Sequence, residues 1–392
     1  MIEKAVIFAA GEGTRLRPLT LNRPKHLLPI AGKPLIYWIL KSVEYAGARK
    51  IGIVVHYKAD MITSYLKTLN LKSELYFIFQ HKPDGTAGAL DIARDFIGDE
   101  DFLLIYGDVI VDPGDFKEMV HLFKKENYDA VILGVQVENP WDYGVLKLRD
   151  GLYMEKVVEK PPRGQEPSNL INGGVYVFSP KILDLVKKVG LSVRGERELT
   201  DALQMLALRG RVFVYKTQRS KWRDIGRPWD LLEAEARLFR MYLPPPPKCE
   251  IGCEVRVVPP VYIGENVEIG RYSTIGPNVS LHDNVKVGKF SKISNSIVMK
   301  DSKIGDYVSV SYSIIGERSV LEDEVTILSE PENGGSVKMI VKGKLEDTGM
   351  KKLGCVIGDD VVVGRKSLIK AGSVIFNNVV IPSNSTITGL VK

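Results

Sequence analysis

The sequence is poor in cysteine. Its 392 residues include only Cys249, Cys253 and Cys355. Three cysteines are too few for a disulfide framework, and these lack both the spacing and the nearby histidines of a zinc site. We therefore expect reduced thiols, and neither a disulfide-stabilised fold nor a structural zinc site.

Long apolar runs and strong net charge are also missing. No stretch approaches the ~20 apolar residues of a membrane span. The first residues, MIEKAVIFAAG, pass directly into a strand pattern without the regions of a signal peptide. The formal net charge of +6 is too small to indicate nucleic acid, although it suits small anionic substrates. We expect a cytoplasmic protein with no membrane or nucleic-acid partner.

The chain is longer than a usual single domain, and its two halves differ in pattern. Up to about residue 243, short β-branched or aromatic runs alternate with helical stretches. The predicted strands include KAVIFAA, KIGIVVHY, LYFIFQ, FLLIYGD and AVILGVQV, and the predicted helices include KPLIYWILKSVEYAG, TAGALDIARDF and PWDLLEAEARLFRMY. This alternation predicts an α/β domain, residues 1–243, whose mostly parallel sheet binds ligands at the carboxyl ends of its strands.

A proline-rich linker, 244–250, is predicted to precede a second domain, 251–392, with a period of six residues. The apolar residues that carry the period are Ile263, Ile269, Ile275, Leu281, Val287 and Ile293, and then Ile357, Val363, Ile369, Ile375, Ile381 and Ile387. Such hexapeptide periodicity indicates a parallel β-helix, in which each coil buries an apolar ladder on the next. Residues 329–352 break the period and are predicted to form an insertion loop.

The loop GEGTRLRPLTLNRPKHLLPI follows the first predicted strand and is rich in glycine and cations. It lacks the Gly-Lys-Ser/Thr of a Walker A motif, and Leu16 stands where a dinucleotide fingerprint needs its third glycine. Two interpretations stay open: a phosphate cradle built from backbone N–H groups and fixed positive charge, or a solvated basic surface loop. The candidate cations are Arg15, Arg17, Arg23 and Lys25.

A series of motifs runs through the first half in a fixed order. FAAGEGTRLRPLTLNRPKHLLPIAGKPLI is followed by FQHKPDGTAGAL, YGDV, YGVL, VVEKP, INGGVYVF and KWRDIGRPWDLLEA. In these motifs the chain resembles the sugar-1-phosphate nucleotidylyltransferases, above all archaeal two-domain proteins that pair a uridylyl- or thymidylyltransferase with a sugar-phosphate acetyltransferase. The resemblance implies a Rossmann-like mixed-sheet nucleotidyltransferase domain followed by a left-handed β-helix of hexapeptide repeats.

The implied reaction joins a sugar-1-phosphate to the α-phosphorus of a nucleoside triphosphate, UTP or dTTP favoured, and releases pyrophosphate. A phosphate monoester with a second pKa near ~6 is mostly dianionic at neutral pH, so the nucleophile needs no general base. The site must instead supply cations and in-line geometry. The resemblance assigns Arg15 to the β- and γ-phosphates and Lys25 to the α-phosphate, with Gly11 and Gly13 cradling the phosphates through the backbone.

Two aspartates match the metal ligands of the family, Asp108 of YGDV and Asp224 of WRDIG. Two carboxylates together with phosphate oxygens suit Mg²⁺ (or Mn²⁺), because Mg²⁺ takes few protein ligands and keeps several waters. Each aspartate alone could be an ordinary turn residue. Their joint occurrence at motif positions favours a metal site.

The resemblance also assigns substrate-binding residues. Gln80, five residues before Gly85, is expected at the base, where guanylyl-transferring relatives usually carry an acidic residue. A carboxamide could also pair with a purine, so the preference for uracil or thymine rests on the resemblance. The residues expected at the sugar phosphate are Gly144, Glu159, Lys160 and Asn172. Trp222 and Trp229 are interpreted as packing residues.

The second half is expected to assemble a homo-oligomer, with a trimer favoured, and not to transfer acetyl groups by the mechanism of the relatives. Their histidine base lies in a P-H-x-S-Y stretch and takes the proton of the amine. In this sequence Asp306 and Ser309 stand in place of that histidine and tyrosine. His282, the only histidine of this half, is predicted to face solvent at a coil corner.

Three other functions stay open. The chain could be a bifunctional enzyme with an active sugar-phosphate N-acetyltransferase half, or a mannose-1-phosphate guanylyltransferase. It could also be a catalytically silent subunit, like those of translation-initiation exchange factors. A silent subunit should have lost its phosphate and metal residues, whereas Arg15, Lys25, Asp108 and Asp224 are all present.

Overall fold

The computed structural model describes residues 2–245, 252 and 254–392. Residues 2–245 contain eight helices and thirteen strands, with short 3₁₀ turns between them. The helices are α1 (Leu35–Tyr45), α2 (Ala59–Lys67), α3 (Thr86–Asp91), α4 (Arg94–Ile97), α5 (Pro113–Glu126), α6 (Lys181–Val186), α7 (Leu199–Ala207) and α8 (Pro228–Met241). The strands are β1 (Lys4–Ala9), β2 (Pro29–Ile30), β3 (Lys33–Pro34), β4 (Lys50–Val55), β5 (Glu74–Phe79), β6 (Phe102–Tyr106), β7 (Val109–Val111), β8 (Ala130–Gln136), β9 (Gly144–Arg149), β10 (Tyr153–Glu159), β11 (Leu170–Phe178), β12 (Val212–Thr217) and β13 (Trp222–Asp224).

The predicted strands of this half are confirmed as β1, β4, β5, β6 and β8, close to their predicted bounds. The helices follow the prediction less closely. Helix α1 begins at Leu35 because Pro34 pairs in the short strand β3, and TAGALDIARDF forms the two short helices α3 and α4. In the ranges that the structure describes, no helix has both the length and the apolar character needed to cross a membrane.

The described chain folds as two compact units. The first comprises Met1–Gly11 and Ile36–Asp224, and its nine-stranded sheet has the order β5-β4-β1-β6-β11-β8-β12-β10-β9. Strands β1, β4, β5 and β6 are parallel to one another, and β11 runs antiparallel to β6 and β8. The sheet is therefore mixed, as the resemblance implies. Sheet residues that include Phe102, Tyr176 and Phe178 form a buried core with residues of α3, α6 and α7.

The second unit comprises Glu12–Leu35 and Ile225–Lys392 and contains a parallel β-helix of three sheets. The first sheet holds β14 (Arg256–Val257), β17 (Thr274–Ile275), β20 (Lys292–Ser294), β23 (Ser309–Ser311), β26 (Thr326–Ile327), β31 (Leu368–Ile369) and β34 (Thr386–Ile387). The second holds β15 (Val261–Ile263), β18 (Val279–Leu281), β21 (Ser296–Val298), β24 (Ile314–Ile315), β29 (Cys355–Ile357), β32 (Ser373–Ile375) and β35 (Leu390–Val391). The third holds β16 (Glu268–Ile269), β19 (Lys286–Val287), β22 (Lys303–Ile304), β25 (Val320–Leu321), β30 (Val362–Val363) and β33 (Val380–Ile381). Within the predicted insertion, β27 (Lys338–Val341) and β28 (Lys344–Asp347) form a hairpin.

The coils of the β-helix turn at residues with left-handed backbone. Examples with positive φ, six positions apart, are Asn266 (54°), Tyr272 (63°), Asn278 (53°), Asn284 (61°) and Phe290 (57°). Corner side chains bond between coils, as where Asn266 Nδ2 donates to Asn284 Oδ1 at 3.2 Å, 18 residues along the chain. The predicted apolar ladder forms the core of this unit. Parallel coils with these corners are consistent with a left-handed β-helix.

His282 is half-buried, so the full exposure to solvent predicted for it is not found. Its ring packs against that of Tyr262, with the ring centroids 5.5 Å apart. Its Nε2 atom is buried and bonds to no residue in the part of the chain that the structure describes. Burial lowers the pKa of His282 to about 4. A corner position alone predicts exposure, but an aromatic side chain of the preceding coil covers this corner.

Helix α8 and the segment Glu12–Leu35 belong to the same unit as the β-helix. The buried carboxyl group of Glu235 in α8 accepts hydrogen bonds from Ala31 N at 3.1 Å and from Ser280 Oγ at 2.8 Å. These contacts explain why the compact units do not divide at residue 243, the boundary predicted from the sequence. Most of the predicted linker, 244–250, lies outside the described residues, so the linker stays a prediction.

Glu235 should make the stability of the protein depend on pH. Burial raises the pKa of Glu235 to about 8, whereas the unfolded chain ionises it near 4.5. Between these two values unfolding releases a proton, so the free energy of unfolding should fall as pH rises, by up to ~1.4 kcal/mol per pH unit. Glu235→Gln keeps the shape and does not titrate, so it should flatten this dependence in urea denaturation across the window.

Glu268→Gln is the matched control, because Glu268 is an exposed glutamate of the same unit. Its pH dependence should equal that of the unchanged protein. If Glu235→Gln retained the full slope, the assignment to Glu235 would be wrong.

Candidate active site

The ends of three parallel strands bring predicted site residues to one edge of the sheet in the first unit. The register aligns the last residues of β1, β4 and β5, and β6 lies in register beside β1. Gly11, Gln80 and Asp108 follow β1, β5 and β6, each within two residues of its strand. The three residues therefore lie along the carboxyl edge, where parallel sheets bind ligands.

Asp224 reaches Asp108 through a separate two-stranded sheet. Strand β7 begins directly after Asp108, and β13 pairs with β7 so that Asp224 lies opposite Val109. Opposed residues of an antiparallel pair have Cα atoms only ~4.5–5.5 Å apart. The two aspartates thus lie on neighbouring backbones, and both side chains are half-buried.

The pair of aspartates has the donor chemistry of a magnesium site. Among the residues that the structure describes, no group of three or more His, Cys, Asp or Glu side chains could hold a metal ion. Mg²⁺ is often held by one or two carboxylates, with water and substrate phosphates completing its coordination. Asp108 and Asp224 therefore fit an ion of this kind, and a cage made wholly of protein ligands is not needed.

Gln80 is held in a defined orientation. Its side chain is buried, and Nε2 donates to Asp84 Oδ1 at 3.2 Å. Asp84 in turn pairs with Arg197 at 3.4 Å. The amide oxygen of Gln80 and the second N–H group of Nε2 make no bond to a residue within the described ranges, so one acceptor and one donor remain for a ligand.

The loop after Gln80 depends on a glycine. Gly85 has a φ of 103° and precedes α3. A Cβ atom at this position would overlap the backbone carbonyl oxygen of Arg197. The same carbonyl accepts from Ala87 N at 2.9 Å, and Arg197 N donates to Asp84 O at 2.7 Å. Arg197 was not a predicted site residue; it holds this loop through both its backbone and its side chain.

The structure brings together the four residues predicted at the sugar phosphate. Gly144 pairs with Glu159 across β9 and β10, and the pairing of Val145 with Ile171 places Asn172 beside Gly144. A Cβ at Gly144 would lie 2.9 Å from Glu159 Oε2, so a larger residue would displace that carboxylate. Lys160 follows directly and lies 3.9 Å from the Glu159 carboxylate.

Arg194 also belongs to this cluster, although the sequence analysis does not identify it. Its guanidinium lies 3.5 Å from Glu159 and 2.5 Å from the buried Glu198. Burial raises the pKa of Glu159, while the charges of Lys160 and Arg194 lower it. Because Arg194 stands in an ordinary-looking charged stretch, SVRGERE, only its position in the fold reveals it.

A pair of hydrogen-bonded tyrosines, Tyr106 and Tyr176, lies near the candidate site residues Asp108 and Glu159. Tyr176 donates from its hydroxyl to that of Tyr106 at 3.1 Å, and the rings lie 5.7 Å apart. Burial raises the pKa of Tyr106, and the charges of Glu159 and Asp108 raise it further. The charges of both carboxylates therefore raise the pKa of the same hydroxyl.

Trp222 is buried and donates from Nε1 to Gly173 O at 2.7 Å, which confirms its packing role.

The glycine-rich loop after β1 continues into the second unit. Within that unit Gly13 has a φ of 70°, and its carbonyl accepts from Thr20 Oγ1 at 2.9 Å. A Cβ on Gly13 would lie 2.9 Å from Lys25 Cβ, so the glycine permits the close approach of the lysine. Arg15, one of the two predicted catalytic cations, is exposed on a 3₁₀ turn.

Two of the four candidate cations are bound by carboxylates. Arg17 pairs with Glu12. Arg23 is buried and pairs with Asp359 at 2.9 Å and with Glu317 at 3.0 Å, both within the second unit. The guanidinium of Arg23 is therefore committed to two acidic side chains far along the sequence, and these contacts give no support to the prediction that it supplies charge to a phosphate.

Comparisons with known proteins identify the family of the chain. Residues 4–240 match the family model described as nucleotidyl transferase, and residues 257–344 match the GMPPB C-terminal domain. The chain is 34% identical over 378 residues to the bifunctional protein GlmU of Methanocaldococcus jannaschii, covering 92% of this chain and 88% of that protein. It is 35% identical over 392 residues to the bifunctional sugar-1-phosphate nucleotidylyltransferase/acetyltransferase of Sulfurisphaera tokodaii, covering 94% and 93%.

A solved structure is similar to the first part of the chain. UDP-glucose pyrophosphorylase complexed with UDP-glucose superposes with a TM-score of 0.57 at 28% identity, covering 62% of this chain and 100% of that one. The fold and these matches together define a nucleotidyltransferase. The chain belongs to the nucleotidyl transferase family, and within it to the sugar-1-phosphate nucleotidylyltransferases, as its motifs predict.

Gly85→Ala should destabilise the loop that carries Gln80. The positive φ and the overlap with the Arg197 carbonyl both oppose a Cβ, and overpacking of this kind typically costs ~1–3 kcal/mol. Urea denaturation should show the loss. Gly190→Ala is the control, since Gly190 has open space around its Cβ position. Equal stability of the two variants would argue against the predicted strain.

Proposed function

We propose that the protein transfers a nucleoside monophosphate from UTP or dTTP to a sugar-1-phosphate and releases pyrophosphate. The observation that carries the proposal is the pairing of β13 with β7, which sets Asp224 beside Asp108 at the carboxyl edge of the sheet. Membership of the family supports the same reaction.

The chemistry of the reactants explains why the site has cations and carboxylates but no nucleophile-base pair. The sugar phosphate is largely dianionic at neutral pH and attacks without losing a proton. Catalysis then depends on bringing two anions together and on stabilising the charge that develops at the α-phosphorus. A divalent cation, Mg²⁺ or Mn²⁺, would be held by Asp108 and Asp224 and would neutralise phosphate charge there.

The protein's own cations have separate roles in this proposal. Lys25 binds the α-phosphate, where charge builds up in the transition state, and Arg15 binds the β- and γ-phosphates. Gly11 and Gly13 present backbone N–H groups to the triphosphate. The left-handed backbone of Gly13 and its close contact with Lys25 support the role of this loop, since no larger residue fits there.

The orientation of Gln80 supports a pyrimidine base. With one N–H group held by Asp84, the amide still offers an acceptor and a donor. The imide edge of uracil or thymine presents an N–H donor beside a carbonyl acceptor, which matches this pair. A Cβ atom at Gly85 would overlap the carbonyl oxygen of Arg197, and the absence of a side chain there lets the loop lie close to the nucleotide. The name of the solved relative, UDP-glucose pyrophosphorylase, is consistent with uridylyl transfer.

Four residues of the first unit would bind the sugar-1-phosphate. Asn172 and Glu159 hydrogen-bond sugar hydroxyls, Lys160 pairs with the phosphate, and Gly144 leaves room for the Glu159 carboxylate. Their assembly on β9, β10 and β11 supports this assignment. The charge of Arg194 beside Glu159 adds a second cation to the cluster.

Guanylyl transfer is the alternative with an observation in its favour. Part of the second unit matches the GMPPB C-terminal domain, and the base edge of guanine also contains donors and acceptors. An assay of pyrophosphate release distinguishes uridylyl or thymidylyl transfer from guanylyl transfer. It tests UTP, dTTP, GTP, ATP and CTP, each with glucose-, mannose- and N-acetylglucosamine-1-phosphate. Asp108→Asn is the inactive control. Release with GTP and mannose-1-phosphate alone would replace our proposal, and no release with any pair would favour a silent subunit.

Lys25→Ala should lower kcat much more than it weakens binding of the triphosphate. Its charge is needed most where negative charge develops in the transition state, and the loss of one such contact typically costs ~10²–10³-fold in kcat. Steady-state kinetics together with calorimetric binding of the triphosphate measure both quantities. Arg17→Ala serves as control, because Arg17 already pairs with Glu12. A proportional loss in affinity would remove Lys25 from the α-phosphate.

The β-helix is proposed to assemble a homo-oligomer, with a trimer favoured, and not to acetylate glucosamine-1-phosphate by the mechanism of the relatives. The carboxylate of Asp306 accepts from Lys289 N at 2.7 Å and so caps a coil corner. His282 is covered by Tyr262. In the described part of the β-helix, therefore, no histidine is available as the base that the amine requires.

This proposal predicts no release of free thiol from acetyl-CoA in the presence of glucosamine-1-phosphate. The Sulfurisphaera tokodaii relative, whose name includes acetyltransferase, is the natural positive control. Thiol release by this protein that is lost on His282→Ala would show that this histidine acts as a base after all. Sedimentation equilibrium checks the assembly, and a monomer would contradict it.

A further inference from the structure

Arg23 of the glycine-rich loop is buried in the second unit. Only 6% of its side chain is exposed, and Nη2 lies 2.9 Å from Asp359 Oδ2 and 3.0 Å from Glu317 Oε2. Its Nη1 donates to the carbonyl of Leu19 at 3.2 Å. One guanidinium therefore joins two carboxylates of the β-helix to the backbone of the loop.

The carboxylate of Asp359 binds the glycine-rich loop in addition to capping a coil corner. Like Asp306 and Asp323, it accepts a backbone N–H from the preceding coil through Oδ1, here that of Glu317 at 2.9 Å. Its other oxygen, Oδ2, accepts from Arg23 and from Asn22 Nδ2 at 2.8 Å. Oδ1 of Asp359 therefore caps the coil corner, and Oδ2 binds the loop.

The anchored residues lie next to the cation of the proposed reaction. Arg23 is separated from Lys25 by Pro24 alone, whose ring fixes its φ. The Leu19 carbonyl that Arg23 binds is adjacent to Thr20, and the Thr20 hydroxyl holds the Gly13 carbonyl at 2.9 Å. A displacement of Arg23 would therefore be transmitted in both directions along the loop, towards Lys25 and towards Gly13.

A second anchor acts on the end of the same segment. Glu235 binds Ala31 N and Ser280 Oγ with one oxygen, so helix α8, the loop and a β-helix coil meet at one atom. Gly32 is packed so closely on the ring of Tyr262 that a Cβ would overlap it. The segment from Asn22 to Gly32 is thus held against the β-helix at both ends.

We propose that Asp359 and Glu317 of the β-helix are positioning residues for nucleotidyl transfer. They hold Arg23, and through it the loop that carries Arg15 and Lys25. The inference rests on the proposed function of those two cations. A buried ion pair adds little net stability over an apolar replacement, whereas a defined geometry for the loop is what catalysis requires.

The test compares the full-length chain with Asp359→Asn and with Asp323→Asn. Both changes alter a carboxylate that caps a coil corner, but only Asp359 binds Arg23. Asp359→Asn should lower kcat on the order of 10- to 100-fold, since a misplacement of about 1 Å can have this effect. It should also raise the KM for the triphosphate and leave the KM for the sugar-1-phosphate unchanged. A loss of folded protein would lower kcat and move neither KM.

A double-mutant cycle and hydrogen exchange complete the experiment. In the background of Arg23→Met, Asp359→Asn should lower kcat much less than it does in the unchanged chain, because only the contact of Asp359 with Asn22 then remains to be lost. Backbone amides of residues 12–35 should exchange faster in Asp359→Asn and at the original rate in Asp323→Asn. Additive effects in the cycle, unchanged exchange, or equal effects of both aspartate variants would each overturn the proposal.

Hydrogen exchange also separates this inference from the proposed function, because it needs no turnover. If the unchanged protein released no pyrophosphate with any substrate pair, the proposed function would fail, and with it the catalytic role of Asp359. Faster exchange confined to residues 12–35 would still establish that Asp359 anchors the loop.

Discussion

The pairing of β13 with β7 is the contact on which the candidate metal site depends. It joins two segments that are far apart in the sequence, Val109–Val111 and Trp222–Asp224. One of its three residue pairs sets Asp224 opposite Val109. Each aspartate alone lies at the end of a strand and would be an ordinary polar residue there. The proposed metal site requires both aspartates, so it depends on this pairing, and the mixed sheet contributes by aligning the ends of β1, β5 and β6.

Features that arise from local periodicity could be predicted from the sequence. The strand runs of the first half and the six-residue ladder of the second half are confirmed because each reflects the environment of one short segment. The motif residues Gly144, Glu159 and Asn172 are brought together as expected. The bounds of α1 were missed because the pairing of Pro34 in β3 competes with the helix start.

Features that depend on a partner distant in sequence could not be predicted. Arg23 looks like its neighbours Arg15 and Arg17 in the sequence, and only the coil that carries Asp359 distinguishes it. The same holds for His282, which an aromatic ring of another coil covers, and for Arg194, which the fold sets beside Glu159. The charge of a side chain can be read from the sequence, but its counter-ion is a property of the tertiary structure.

The hairpin of β27 and β28 shows how a coil tolerates extra chain. Strand β24 pairs directly with β29, and β25 with β30, although the whole insertion lies between these coils in the sequence. The hydrogen bonds of the stack therefore bypass the inserted residues. Chain added at one corner therefore leaves the pairing between coils intact, but the added hairpin still constrains its neighbours, since a Cβ at Gly372 of the coil beside it would overlap the carbonyl oxygen of Lys338.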